Sequence, residues 1–191
     1  MTRSVELLTN LNLGASACAA NAERLTDDSE RLFFGKSYLS SYFLSELAIE
    51  ETGKAFKLLV WISDRKEASK DDWERLVGRF AHINKLTIAH EADDEWLASV
   101  TKGVVDYAEF QKAVLSRMPS ARNMDEYRRA RAKESFDLRK LAMYVDYDFQ
   151  NKEWVNPVAL HIASDPTFSF QKLNLAKHMT QILRAKMKGQ E

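Results

Sequence analysis

The chain has 191 residues, 28 Lys+Arg balanced by 28 Asp+Glu, and one cysteine. That length suits a single domain, residues 1–191, with enough apolar content to bury a core, and one cysteine excludes an internal disulfide and agrees with a reducing compartment. Zero net charge gives no global sign of nucleic-acid binding, but residues 117–191 hold 14 Lys+Arg against 9 Asp+Glu, a local excess of +5 that offers a basic face to a nucleic acid or an acidic partner.

With 6 glycines and 3 prolines the chain lacks the turn punctuation of a β fold, and its apolar residues recur at three-four spacing, so the expected class is all-α. The spacing predicts a first helix over about 4–30 with Leu8, Leu11, Ala15, Cys18, Ala19, Ala22 and Leu25 on one stripe; Cys18 reads as inert core packing. Gly35 marks the join to a second helix ending near Asp64. Ser69 and Asp72 form a capping-box pattern opening a third helix over 70–91, and Asp93 or Asp94 starts a fourth that closes before Pro119. Asn123 and Glu126 open a fifth reaching about Ala142. Residues 143–156 alternate apolar and polar, predicting an extended or hairpin segment, and Asn156-Pro157 and Asp165-Pro166 are N-cap and N1 pairs for a short and a final helix.

The second helix carries the most informative segment, Ser45-Glu46-Leu47-Ala48-Ile49-Glu50-Glu51-Thr52-Gly53-Lys54. Glu46, Glu50 and Lys54 share a side with Leu39 and Phe43, while Ile49, Tyr38, Tyr42 and Phe56 cover another side and Leu44, Leu47 and Leu58 a third. A helix apolar on every side is central, so its acids need a cation, a hydrogen-bond network or a raised pKa. On one continuous third helix Arg75, Arg79 and His82 stand at i, i+4 and i+7, with Lys85 one turn on, giving a cationic strip with a titratable group. Histidine trades protons near neutral pH and arginine clamps phosphate, which together suit attack by an RNA 2′-hydroxyl; equally, His82 and Lys85 pair structurally with Glu46, Glu50 or Glu51. A carboxylate-bridged di-metal bundle uses Glu-x-x-His, and none of the four histidines has a glutamate three residues before it, so no metal and no cofactor is expected. The lack of an uninterrupted apolar h-region near Met1, and of any long apolar run, predicts a soluble, cytoplasmic protein without a membrane partner.

Ala48-Ile49-Glu50-Glu51-Thr52-Gly53-Lys54, then His82-Ile83-Asn84-Lys85, then Lys140-Leu141-Ala142-Met143-Tyr144-Val145-Asp146-Tyr147 leading to Trp154-Val155-Asn156-Pro157, together resemble the AbiV family of bacterial abortive-infection proteins, over about residues 5–185. The resemblance implies a HEPN-like helical bundle and a phage-defence role in the cytoplasm. It further implies a homodimer that stops host growth or translation when a phage-encoded activator is sensed, with RNA or a ribosome-associated target. Many HEPN proteins are metal-independent endoribonucleases with an arginine, four to six residues, then histidine; Arg75 and His82 meet that spacing, although Leu76 stands where the motif usually has a polar residue. Arg75 or Arg79 would then hold the scissile phosphate and His82 would act as general acid or base. The competing reading is a non-catalytic interaction protein in which Glu46, Glu50, Glu51, Lys54 and Lys85 fix helix packing. Tyr144 and Asp146 are expected to fold back over the bundle end beside this polar cluster, with Asp146 meeting Lys133, Lys140 or a strip arginine. Phe33, Phe34 and Trp61 are expected to be exposed and to seek cover in a dimer.

Overall fold

Helix α2 (Tyr38–Ser63) is the axis of the structure. Ala48, Ile49, Ala55, Phe56, Leu58, Leu59 and Trp61 are all buried, and around them pack α1 (Arg3–Phe34), α4 (His82–Val100), α6 (Met124–Met143) and α7 (Pro166–Lys188). Short helices α3 (Lys70–Val77) and α5 (Tyr107–Ser116) complete the all-α bundle. The computed structural model describes residues 3–78, 81–100, 107–116, 121–143, 146–148, 153–155 and 165–189. Within the segment expected to be extended, β1 (Asp146–Asp148) pairs antiparallel with β2 (Glu153–Val155), placing Tyr147 opposite Trp154. The short helix expected after Asn156-Pro157 lies outside the described residues.

Several helix ends follow from local chemistry. Ser69 Oγ accepts from the Asp72 amide at 3.1 Å while Asp72 Oδ2 accepts from the Ser69 amide at 2.9 Å, a reciprocal box that satisfies two donors α3 would otherwise leave bare. Asn123 Oδ1 caps Glu126 N at 2.9 Å, and Asp165 Oδ1 caps Thr167 N at 2.8 Å ahead of Pro166. At the α1–α2 join the left-handed residue is Lys36 (φ 61°), not Gly35. Lys36 N and Ser37 N donate back to the Phe33 and Leu32 carbonyls at 3.0 and 2.8 Å, closing a Schellman turn.

The predicted helix over 70–91 is two helices. Gly78 adopts extended backbone (ψ 162°) and ends α3, and α4 restarts at His82. A Cβ on Gly78 would overlap the Glu74 carbonyl oxygen, so this turn requires glycine, and the apolar periodicity that runs through it conceals the break. Nor does a helix start at Asp93 or Asp94, because α4 continues to Val100. Those acids serve other helices instead: Asp93 meets His178 of α7 at 3.2 Å and Asp94 meets Arg128 of α6 at 2.7 Å. Trp61, expected on the surface, is 1% exposed because Trp73 of α3 packs edge-on against it, ring centroids 5.0 Å apart.

Close helix contact is bought with small side chains. Ala15, Ala19 and Ala22 bring α1 onto α2, where the Ser29 hydroxyl lies 2.7 Å from the Ser41 carbonyl oxygen and 2.7 Å from Ser45 Oγ. Gly53 does the same for α4: a Cβ there would overlap the Lys85 carbonyl oxygen and sit 2.9 Å from its carbon. Because that obstacle is backbone, no rotamer change relieves it. Gly53→Ala should therefore lose about 2 to 3 kcal/mol in urea melts despite the roughly 1 kcal/mol that alanine gains in helix propensity. Gly14→Ala, whose added methyl meets only the Leu58 side chain at 3.3 Å, should stay within about 1 kcal/mol of the parent.

Candidate functional site

Glu50, in the middle of α2, is 2% exposed. A lone carboxylate there would be intolerable, and three other side chains resolve it. Oε2 lies 2.8 Å from His82 Nδ1 and 3.1 Å from Lys85 Nζ, both on the first turn of α4, while Oε1 is gripped by the Arg139 guanidinium from α6. A carboxylate only accepts, so the proton on the His82–Glu50 bond belongs to Nδ1. Phe136, one turn before Arg139, stacks on the His82 ring at 5.4 Å with planes 18° apart, and the Arg139 guanidinium carbon lies 5.0 Å from the same phenyl ring.

Burial within the cluster is uneven. Lys85 and Arg139 are almost enclosed, whereas the His82 side chain keeps 34% of its surface. Nε2 has no partner among the described residues. One carboxylate faced by two permanent cations leaves a surplus positive charge beside an accessible imidazole whose orientation is fixed on two sides.

The other acids of the segment do not join this cluster. Glu46, fully buried one turn earlier, is ion-paired with Lys172 of α7, whose Nζ also donates to Ser135 Oγ at 2.6 Å. Burial, with Glu46 next in effect, pushes the neighbouring Tyr42 phenol above its ordinary value. Glu51 pairs with Lys54 at 2.6 Å on the side facing Cys18. Burial raises the Cys18 thiol against a smaller opposing pull from Lys54, so it stays protonated and unreactive near neutral pH. Glu46 and Glu50 thus leave α2 on one side but a turn apart and so meet different partners, while Glu51, about 100° around the helix from Glu50, pairs with Lys54 of α2 itself.

The strip of Arg75, Arg79, His82 and Lys85 on one face does not form, since it required an unbroken helix. Arg75 belongs to α3, with its carbonyl oxygen accepting from Asn84 Nδ2 at 3.3 Å, and Asn84 is about 200° around α4 from His82. Arg79 and Tyr144 lie outside the described residues, as does the side chain of Asp146. Sequence reasoning missed Arg139 and Phe136, although Ala132, Ser135 and Arg139 recur at i, i+3 and i+7 and all three are buried. It also missed His90, which is 3% exposed with Nε2 unpartnered.

Among the described residues, no three His, Cys, Asp or Glu side chains gather as a metal-binding group, and no helix is long and apolar enough to cross a membrane. An all-α helical bundle is what the HEPN resemblance implies. A family model described as AbiV, of HEPN type, matches residues 10–179, and the chain belongs to the AbiV family. That membership assigns it to abortive-infection defence. No curated protein and no solved structure matches the chain.

Removing one partner of a buried ion cluster strands the remaining charges, so Glu50→Ala should cost about 3 to 5 kcal/mol by chemical denaturation. Lys54→Ala, at a partly exposed pair, should cost about 1 kcal/mol or less. His90 sets a pH dependence. Burial, then the charges of Arg131, Lys172 and Arg128, hold its folded pKa well below the 6.5 of a free imidazole. The unfolded chain therefore binds a proton that the folded chain refuses, and stability falls as pH drops below about 6.5 toward the folded value. His90→Leu should flatten unfolding free energies between about pH 6.5 and 5.5 by as much as 1.4 kcal/mol per pH unit.

Proposed function

We propose that this AbiV-family protein acts in abortive infection by cleaving RNA, free or ribosome-associated, without a metal ion. The observation that carries the reading is the accessible His82 ring, anchored through Nδ1 on buried Glu50, whose other partners are Lys85 and Arg139, with Nε2 unengaged among the described residues. In this reading His82 Nε2 takes the proton of an RNA 2′-hydroxyl as O2′ attacks the adjacent phosphorus. Glu50 stabilises the imidazolium that forms, and the positive surplus of Lys85 and Arg139 offsets charge developing on the phosphoryl oxygens. The imidazolium then returns its proton to the departing 5′-oxygen as the P–O5′ bond breaks, leaving a 2′,3′-cyclic phosphate. Arg139 replaces Arg75 as the arginine of the site, because Arg75 lies across α4 from His82.

The near-complete burial of Lys85 and Arg139 favours a second reading, in which the cluster holds α2, α4 and α6 together and defence works through binding alone. RNA cleavage by purified protein with and without chelator separates the two. Cleavage should persist in chelator, fall by about 100-fold or more in His82→Ala, and be unaffected in Lys54→Ala. A fully folded parent protein inert on ribosomal, transfer and phage RNA, with phage-derived activators supplied, would establish the binding-only role.

The proposal includes a homodimer. Phe34 is 74% and Phe170 51% exposed, and both rings contact Phe33, at 5.8 and 5.7 Å between centroids, forming an aromatic patch where α1 meets α7. Light scattering at micromolar concentration should give twice the chain mass, and Phe34→Ser with Phe170→Ser should shift it to the monomer.

A further inference from the structure

On the side of α4 away from His82, a cleft of about 410 Å³ opens between α2, α3, α4 and α6. Lys57, Arg75 and Arg129 line it from three different helices. Among the described residues none of the three has a carboxylate partner. The acid in the same lining, Asp72, is already engaged: Lys66 holds it at 2.9 Å and Ser69 donates to it, which lowers its pKa to about 2. The indole of Trp61 also lines the cleft, and its Nε1–H is buried with no acceptor. Donors and positive charge therefore exceed acceptors around a space of the volume that binding pockets for small ligands occupy. The adjoining cleft of about 440 Å³, which shares Lys57 and Ile88, differs in carrying two acids, Glu91 and Glu95, of which Glu95 lies 3.7 Å from Lys186.

We infer that this cleft is a binding site for a phosphorylated small molecule of nucleotide size. Two guanidinium forks and an ammonium suit a di- or triphosphate, the planar forks taking pairs of phosphoryl oxygens and the lysine acting as a point charge. The apolar wall of Leu76 and Ile88 suits the uncharged part of such a ligand. Arg75 becomes a ligand-binding residue, remote from the imidazole with which sequence spacing paired it. The site is separate from the His82 cluster, since Asn84, Thr87 and Ile88 face the cleft while His82, Lys85 and Ala89 turn toward α2 and α6.

Calorimetric titration of the whole protein with pyrophosphate, ADP, ATP and GTP tests this. At least one should bind with a dissociation constant below about 1 mM, weakening as salt is raised. Lys57→Ala with Arg129→Ala, and Arg75→Gln separately, should each weaken it by about tenfold or more, while the control Lys133→Ala leaves it unchanged. These surface replacements are checked for folding by circular dichroism. No binding by any of the four, an undiminished affinity in both cleft variants, or an equal loss in Lys133→Ala would overturn the assignment. A pentaribonucleotide binding more than about tenfold tighter than every mononucleotide would also overturn it, making the cleft part of an RNA path. Because binding is read directly, the result stands whether or not RNA cleavage is found.

Discussion

The carboxylate of Glu50 is the point on which the bundle depends. Buried alone, it would disfavour the fold by several kcal/mol; buried among His82, Lys85 and Arg139 it becomes a group of α2 that α4 and α6 both touch. An apolar contact at that position would tolerate sliding and rotation of the helices. A carboxylate that must meet an ammonium, a guanidinium and an imidazole fixes their register, because a shift of one residue carries each donor about 100° around its helix.

Two glycines make the cluster geometrically attainable. Gly53 lies three residues after Glu50, so a close approach of α4 to α2 falls within one turn of the carboxylate, and Lys85 supplies both the carbonyl pressed against Gly53 and the ammonium on Glu50. Gly78 ends α3 four residues before His82, freeing α4 to take the direction that this approach demands. The Glu-Glu-Thr-Gly-Lys element thus combines a charge and a gap. Either without the other would leave the acid out of reach of its partners.

Much of this was legible in the chain. An apolar circumference with embedded acids marked α2 as central, and Ser69, Asn123 and Asp165 marked helix starts, because capping is decided within four residues. What was hidden has two causes, an unbroken apolar spacing and distance along the chain. The break at Gly78 is hidden by apolar residues that keep helical spacing on both sides of it, and Arg139 stands 89 residues from the glutamate it grips. Trp61 looked exposed for the same reason, since only the fold brings Trp73 against it. Pairing Arg75 with His82 by spacing failed once the intervening turn placed them on different helices.

The two faces of α4 then take on different characters for physical reasons. Toward α2 and α6 the helix presents His82 and Lys85 to a buried acid that holds both in place. Toward α3 it presents Asn84, Thr87 and Ile88 to a cleft whose cations have no internal match. Unmatched cations gathered from three helices raise the electrostatic self-energy of the fold, and an anionic ligand relieves it by linkage, stabilising the folded state as it binds. Such a ligand would also join α3 to α6 across α4, bracing the helix that carries His82 from the side opposite its chemistry. The short α3, whose charge contacts with the rest of the bundle are few, is the element whose position that ligand would affect most.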